Sequence, residues 1–197
     1  MQTGSNNSFS YLNHDRWWNI LIEWFNQYQT RNYEKQYRIY GIRTFDVGLA
    51  VNKQGKLVLR YDGQTYNSTH LYEAFDYFDR QGDVRIRIFL DESFEERMSD
   101  DNGDIVRKFK EFCNNLEFMY KNIIFYGGYR KFDMKQIYTF KKKEDDEIEI
   151  VNINDVSRFY SIVSRVFPFM RKRLNDKYKK KYEGKRVILL LNFIEER

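Results

Sequence analysis

Side chains able to move a proton or hold a charge in a fixed place are few in this chain. Histidine occurs twice, at His14 and His70, and cysteine once, at Cys113. Imidazole is the side chain that titrates near neutral pH without help. General acid–base chemistry at pH 7 would therefore rest on these two histidines. His14 precedes Asp15 in "NHDRW", a pair in which a carboxylate could orient an imidazole. The same pair stands just before a helical pattern, where a surface or helix-entry histidine is the plainer account. His70 follows Thr69, a residue suited to helix capping, which favours an exposed position. The lone cysteine excludes an intrachain disulfide and a cysteine-ligated zinc site. Cys113 lies in the stripe Ile105, Phe109, Phe112, Cys113 and Leu116 and reads as a small buried hydrophobe.

The charges that matter most sit in strand patterns. In "GIRTFDVGLAVNKQGKLVLRYDG", residues 41 to 63, period-two alternation puts Arg43, Phe45, Val47, Leu49 and Val51 on one side. Ile42, Thr44, Asp46, Gly48 and Ala50 fall on the other, a mostly small and polar face suited to the inside of a barrel or cleft. "VRIRIFLD" divides likewise, with Val84, Ile86, Ile88 and Leu90 against helices and Arg85, Arg87, Phe89 and Asp91 inward. Arg43, Asp46, Arg85, Arg87 and Asp91 are thus the candidate ligand-binding set, a polar pocket for an anion. The competing account is a salt-bridge network filling the interior, since an unpaired buried charge costs several kcal/mol, roughly. Asp46, Asp62 and Asp91 could also hold calcium or magnesium through oxygen ligands. Pairing of these acids with the arginines is the simpler expectation, and no cofactor is required.

The elements that must position these groups follow from periodicity. Trp17, Trp18, Leu21, Trp24, Phe25 and Tyr28 recur at helical spacing, and a short helix is predicted over Asn32–Tyr40. Strands follow at 42–51 and 56–61, joined by the turn "NKQG". A helix runs from Thr69 to Phe78 with Leu71, Tyr72 and Phe75 inward. A strand at 84–91, a helix opened by Asn102 or Asp104, and strands "NIIFYGG" and "EIEIVNI" come next. A long helix begins at Asp155 with Val156, Phe159, Val163, Val166, Met170, Leu174 and Tyr178 on one face, kinked at Pro168. "RVILLLNFI" is the last strand, apolar enough to be covered on both sides. The alternation of strand and helix predicts a mostly parallel sheet with helices outside.

"GIRTFDVGLAVNKQGKLVLRYDG" resembles the second and third strands of the phosphatidylinositol-specific phospholipase C-like phosphodiesterases, a TIM-barrel superfamily. Its strand typically reads G-V/I-R-x-F-D-L/I/V-R. "GSNNSFSYL" at positions 4 to 12 is similar to the superfamily's opening G-T-H-N/D-S motif. "WW", "EKQY", "GDVRIRIFLDE", "FYGGYRKFD" and "VFPFM" also look like features of short bacterial and phage-borne members. The resemblance implies acid–base cleavage of a phosphodiester by two histidines, with an arginine or a metal ion stabilising charge on phosphorus. It places the first histidine at Asn6 and its carboxylate partner at Asn7. The arginine, or a metal-binding acid, falls at Gly48 and the second histidine at Tyr61. Asp46 and Arg43 match in kind, with Asp62 and Asp91 as looser matches. Each general acid or base is worth roughly 100- to 10,000-fold in rate, so these replacements imply a degenerate site and an inactive relative. His14 with Asp15 is the alternative pair that would keep the chain a phosphodiesterase, on a phospholipid headgroup or a nucleotide.

The totals set the frame. With 197 residues, 42% hydrophobic and 18% aromatic, the chain can build one substantial core despite 32% charged residues. One domain over 1–197 is expected: a small α/β barrel of TIM type, incomplete or distorted because about seven strands are recognisable. The polar N-terminus carries no signal-peptide core, and no apolar run reaches membrane-spanning length. A cytoplasmic or virion-associated protein is expected, from an AT-rich bacterial or bacteriophage genome given its Lys, Asn, Tyr and Ile. Net charge is +5, and Arg171, Lys172, Arg173, Lys179, Lys180 and Lys181 gather much of it. That face is either a solvated helix end or a contact for nucleic acid or an anionic surface. A protein partner or self-assembly is the expectation for a barrel without chemistry, serving as a binding or structural module.

Overall fold

A computed structural model describes residues 1–5, 8, 32–52, 54–61, 64–66, 71–91, 104–128 and 149–192. They form two compact units, Met1–Asp46 with Lys142–Arg197, and Val47–Lys141. The predicted helix over Trp17–Tyr28 lies outside the described residues.

The first unit is built on parallel strands. β1 (Gln2–Ser5) pairs with β8 (Val187–Leu191) on one side and with the first residues of β2 (Thr44–Val51) on the other. β7 (Glu149–Asn152) lies beyond β8, also parallel. β8 is buried throughout, as its unbroken apolar sequence requires. Helix α1 (Tyr33–Arg38) starts where Asn32 accepts a hydrogen bond from the Lys35 N–H at 3.0 Å. Strand β1 was not predicted, because "QTGS" offers no apolar alternation.

The long helix expected from Asp155 is three helices: α4 (Ile153–Val156), α5 (Arg158–Val166) and α6 (Arg171–Lys181), with a 3₁₀ turn at Pro168–Met170. Ser157 caps α5 by accepting from the Tyr160 N–H at 3.1 Å, and Pro168 removes the N–H that would continue it. The predicted buried stripe needs correcting. Val156 and Phe159 are more than half exposed, while Tyr160 and Val163 are buried. Each break re-phases the chain, so one continuous helical count cannot hold across Ser157.

The second unit carries the rest of β2 with β3 (Leu57–Tyr61) and β4 (Gln64–Tyr66) in an antiparallel meander. β5 (Arg85–Leu90) pairs with β2, and β6 (Ile124–Gly128) pairs with β5 in parallel. The hairpin between β2 and β3 is closed by Asn52, whose side-chain oxygen accepts from the N–H groups of Gln54 and Lys56 at 3.0 and 2.9 Å. Gly55 supplies the left-handed residue, at φ 74°. Helices α2 (Leu71–Gln81) and α3 (Asp104–Met119) bury Phe75, Phe78, Phe109 and Cys113. Phe75 meets the rings of Tyr120 and Phe125 at 5.6 and 6.1 Å. Tyr72, expected inside, is 48% exposed; α2 turns Ala74 and Phe78 inward with Leu71 and Phe75, leaving Tyr72 at the margin. Among the described residues β6 and β7 each have one strand partner, and no helix is long and apolar enough to cross a membrane.

Candidate functional site

In the first unit the segment resembling the opening motif is held by Ser8. Its hydroxyl donates to the Ser5 carbonyl at 2.8 Å and accepts from the Asp46 N–H at 2.7 Å. Its N–H donates to the Asp46 carbonyl at 2.9 Å, and its own carbonyl accepts from Gln36 Nε2 at 2.8 Å. One small residue thus extends the pairing of β1 with β2 beyond the end of β1. Gly4 is required for the same close approach. A Cβ there would lie 2.6 Å from Leu190 Cδ2 and 3.1 Å from the Thr44 carbonyl oxygen. Asp46 is fully buried, as is nearly all of Thr44 on the same strand face. Arg43 is engaged elsewhere. Its guanidinium donates to the Tyr37 and Ile42 carbonyls at 3.0 and 3.1 Å and lies 3.8 Å over the Tyr37 ring.

In the second unit the Gly48 position is filled by its neighbours. A Cβ at residue 48 would overlap the Arg60 carbonyl oxygen and approach Phe89 Cζ at 2.7 Å and Tyr61 Cδ1 at 2.9 Å. The small, polar lining expected on this face is therefore corrected at Gly48: aromatic rings occupy it. Tyr61 is fully buried, its ring 5.4 Å from Tyr66 and 6.3 Å from Phe89. Arg87 is buried on the same face, its guanidinium 5.2 Å over the Phe89 ring. This agrees with the alternation read in "VRIRIFLD", which puts Arg87 and Phe89 on one side. Arg85 is half-buried, and the Asp91 N–H donates to the Leu49 carbonyl at 2.7 Å.

Asn6, Asn7, His14, Asp15, Asp62 and His70 lie outside the described residues. Among the described residues no three His, Cys, Asp or Glu side chains cluster as metal ligands would. Lys172, Arg173, Lys180 and Lys181 are exposed on α6 and Lys179 half-exposed. Arg171 is corrected: it is buried, with Nε donating to the Ser164 carbonyl at 2.9 Å.

A buried polar cluster in the first unit was not foreseen. The Tyr160 hydroxyl donates to Asn175 Oδ1 at 2.7 Å and accepts from the Asn192 N–H at 2.8 Å. Asn175 Nδ2 donates to the Asn192 carbonyl at 3.0 Å, and Asn192 Nδ2 to Ser164 Oγ at 2.9 Å. It fastens α5 and α6 to Asn192, the residue that follows β8. Its only trace in the sequence is Asn192 interrupting an apolar strand pattern.

No family model matches the chain, and no curated protein matches it in sequence. In three dimensions it is similar to the phosphatidylinositol-specific phospholipase C from Listeria monocytogenes, with a TM-score of 0.57. The match covers 100% of this chain and 92% of that one at 12% sequence identity. At that identity the likeness is one of fold, and it agrees with the resemblance carried by residues 41 to 91. The chain has the α/β-barrel fold of a phosphatidylinositol-specific phospholipase C.

Proposed function

We propose that this chain is a catalytically inactive phospholipase C-like barrel retained as a binding or structural module. One observation carries the reading. At Gly48, where the resemblance places a charge-stabilising arginine or a metal-binding acid, the volume a side chain needs is taken by the Arg60 backbone and the Tyr61 and Phe89 rings. A lost residue in an open site can be supplied by another group; a filled site cannot be reached. Tyr61, at the position of the second histidine, is sealed in the same packing. A phenol with an ordinary pKa near 10, roughly, is a poor proton shuttle at neutral pH even when accessible.

The test is turnover. The full chain, given phosphatidylinositol vesicles or a soluble glycerophosphodiester with and without calcium or magnesium, is expected to release no product above buffer. Turnover abolished by His14→Ala would instead establish a phosphodiesterase built on that histidine.

A further inference from the structure

A different polar site lies on the other face of β1. Gly4 stands opposite Thr44 and Leu190, whereas Ser5 stands opposite Phe45 and Leu191. Alternation therefore puts Thr3 and Leu191 on the face turned away from Thr44 and Asp46. On that face α6 leaves a cleft of about 330 Å³. Buried Ile42 and Leu191 give it an apolar base, Thr3 and Tyr40 line it, and α6 contributes Lys172, Asp176 and Lys179. Ile42, expected on the face of Thr44 and Asp46, is corrected: it precedes β2, so the strand's alternation does not reach it.

These three charged residues are spaced four and three apart and share one face of α6. At such spacings a Lys and an Asp on a helix lie close enough to pair. Among the described residues none of the three makes an ion pair. Nor is the helix free to turn them away. Asn175, beside Asp176, is held by Tyr160 and Asn192 at 2.7 and 3.0 Å, and Arg171 by Ser164 at 2.9 Å. Two ammonium groups and one carboxylate are thus presented to an apolar-based cleft by a fastened helix.

We propose that this cleft binds a small phosphomonoester with a hydroxylated carbon body. The two lysines supply point charges for a phosphate dianion. Asp176 repels bare phosphate but accepts hydrogen bonds from hydroxyl groups, as the Thr3 hydroxyl also can. The Tyr40 ring and the apolar base take the carbon atoms. The volume is at the lower end of the roughly 300–1,000 Å³ of small-molecule sites, which favours a compact ligand. The site goes beyond the inactive-barrel reading and does not depend on it, since the strand separates the two faces.

Calorimetry on the full chain at about 150 mM salt, where exposed charges are largely screened, provides the test. Glycerol 3-phosphate is expected to bind more tightly than inorganic phosphate, and glycerol not at all. Lys172→Ala and Lys179→Ala should each weaken glycerol 3-phosphate about tenfold, the scale of one charge-assisted contact. Lys180→Ala, exposed and absent from the cleft, should change nothing. Asp176→Asn should tighten inorganic phosphate and abolish the preference for glycerol 3-phosphate. The proposal is overturned if no heat is seen at millimolar ligand, or if Lys180→Ala weakens binding as much as the cleft variants. Binding to phosphatidic acid vesicles without binding to soluble glycerol 3-phosphate also overturns it, in favour of a lipid surface. Each of these failures leaves the turnover test of the inactive barrel unaffected.

Discussion

Gly48 and Ser8 show two ways in which a single small residue sets local structure. At Gly48 the constraint is volume. A methyl group there meets backbone, which cannot rotate aside, so Gly48→Ala should destabilise by about 1–3 kcal/mol or more, as overpacking does. Urea unfolding reads the loss, and the Phe89→Leu background, which opens space on one side only, should recover part of it. At Ser8 the constraint is hydrogen bonding, because its hydroxyl both donates and accepts in a buried position. At Tyr160 it is the same: Tyr160→Phe leaves the Asn192 N–H and Asn175 Oδ1 short of a partner and should cost about 1–3 kcal/mol. What the sequence made legible at this scale was chemical type. It identified Asp46 on an unusual strand face and Gly48 as an empty position, because alternation depends on the chain alone. It could not say that Tyr61 and Phe89 fill the space beside Gly48, because that depends on strands distant in sequence.

Elements were legible where a pattern ran uninterrupted. The hairpin at Asn52–Lys56 followed from "NKQG" between two strands, β5 and β6 fell within two residues of their predicted bounds, and β8 began within one. From Asp155 onward periodicity predicts one helix kinked at Pro168, and there the helical count fails. Ser157 starts a new helix by capping it, and Pro168 ends that helix. Ser157→Ala should therefore lower stability by about 1 kcal/mol, the usual worth of a side-chain N-cap, measurable as a shift in the urea midpoint. The same re-phasing explains why Phe159 faces out while Tyr160 faces in. Arg171 was grouped with the basic face because helical charge alone cannot distinguish a residue turned toward the Ser164 carbonyl from its exposed neighbours.

For the molecule as a whole, the fold was legible through motif resemblance, although no sequence-level match supports it and identity to the similar solved structure is 12%. Buried ionisable groups give the assembled chain a predictable pH response. Burial pushes the Cys113 thiol and the Tyr160 phenol up, and burial with Asp76 nearby pushes Tyr120 up to about 12. In each case the folded chain holds its proton more tightly than the unfolded chain does. Their stabilising contribution is complete below the unfolded values, roughly 8.5 for thiol and 10 for phenol, and is lost as pH rises through the folded ones. The urea midpoint should accordingly fall from about pH 8.5 upward, and Cys113→Ala should flatten the first part of that fall.

The loss of chemistry at this barrel is tested most directly by turnover of phosphatidylinositol vesicles by the full chain, with and without divalent cations. No product above buffer is the predicted result. Product formation that disappears in His14→Ala would contradict it.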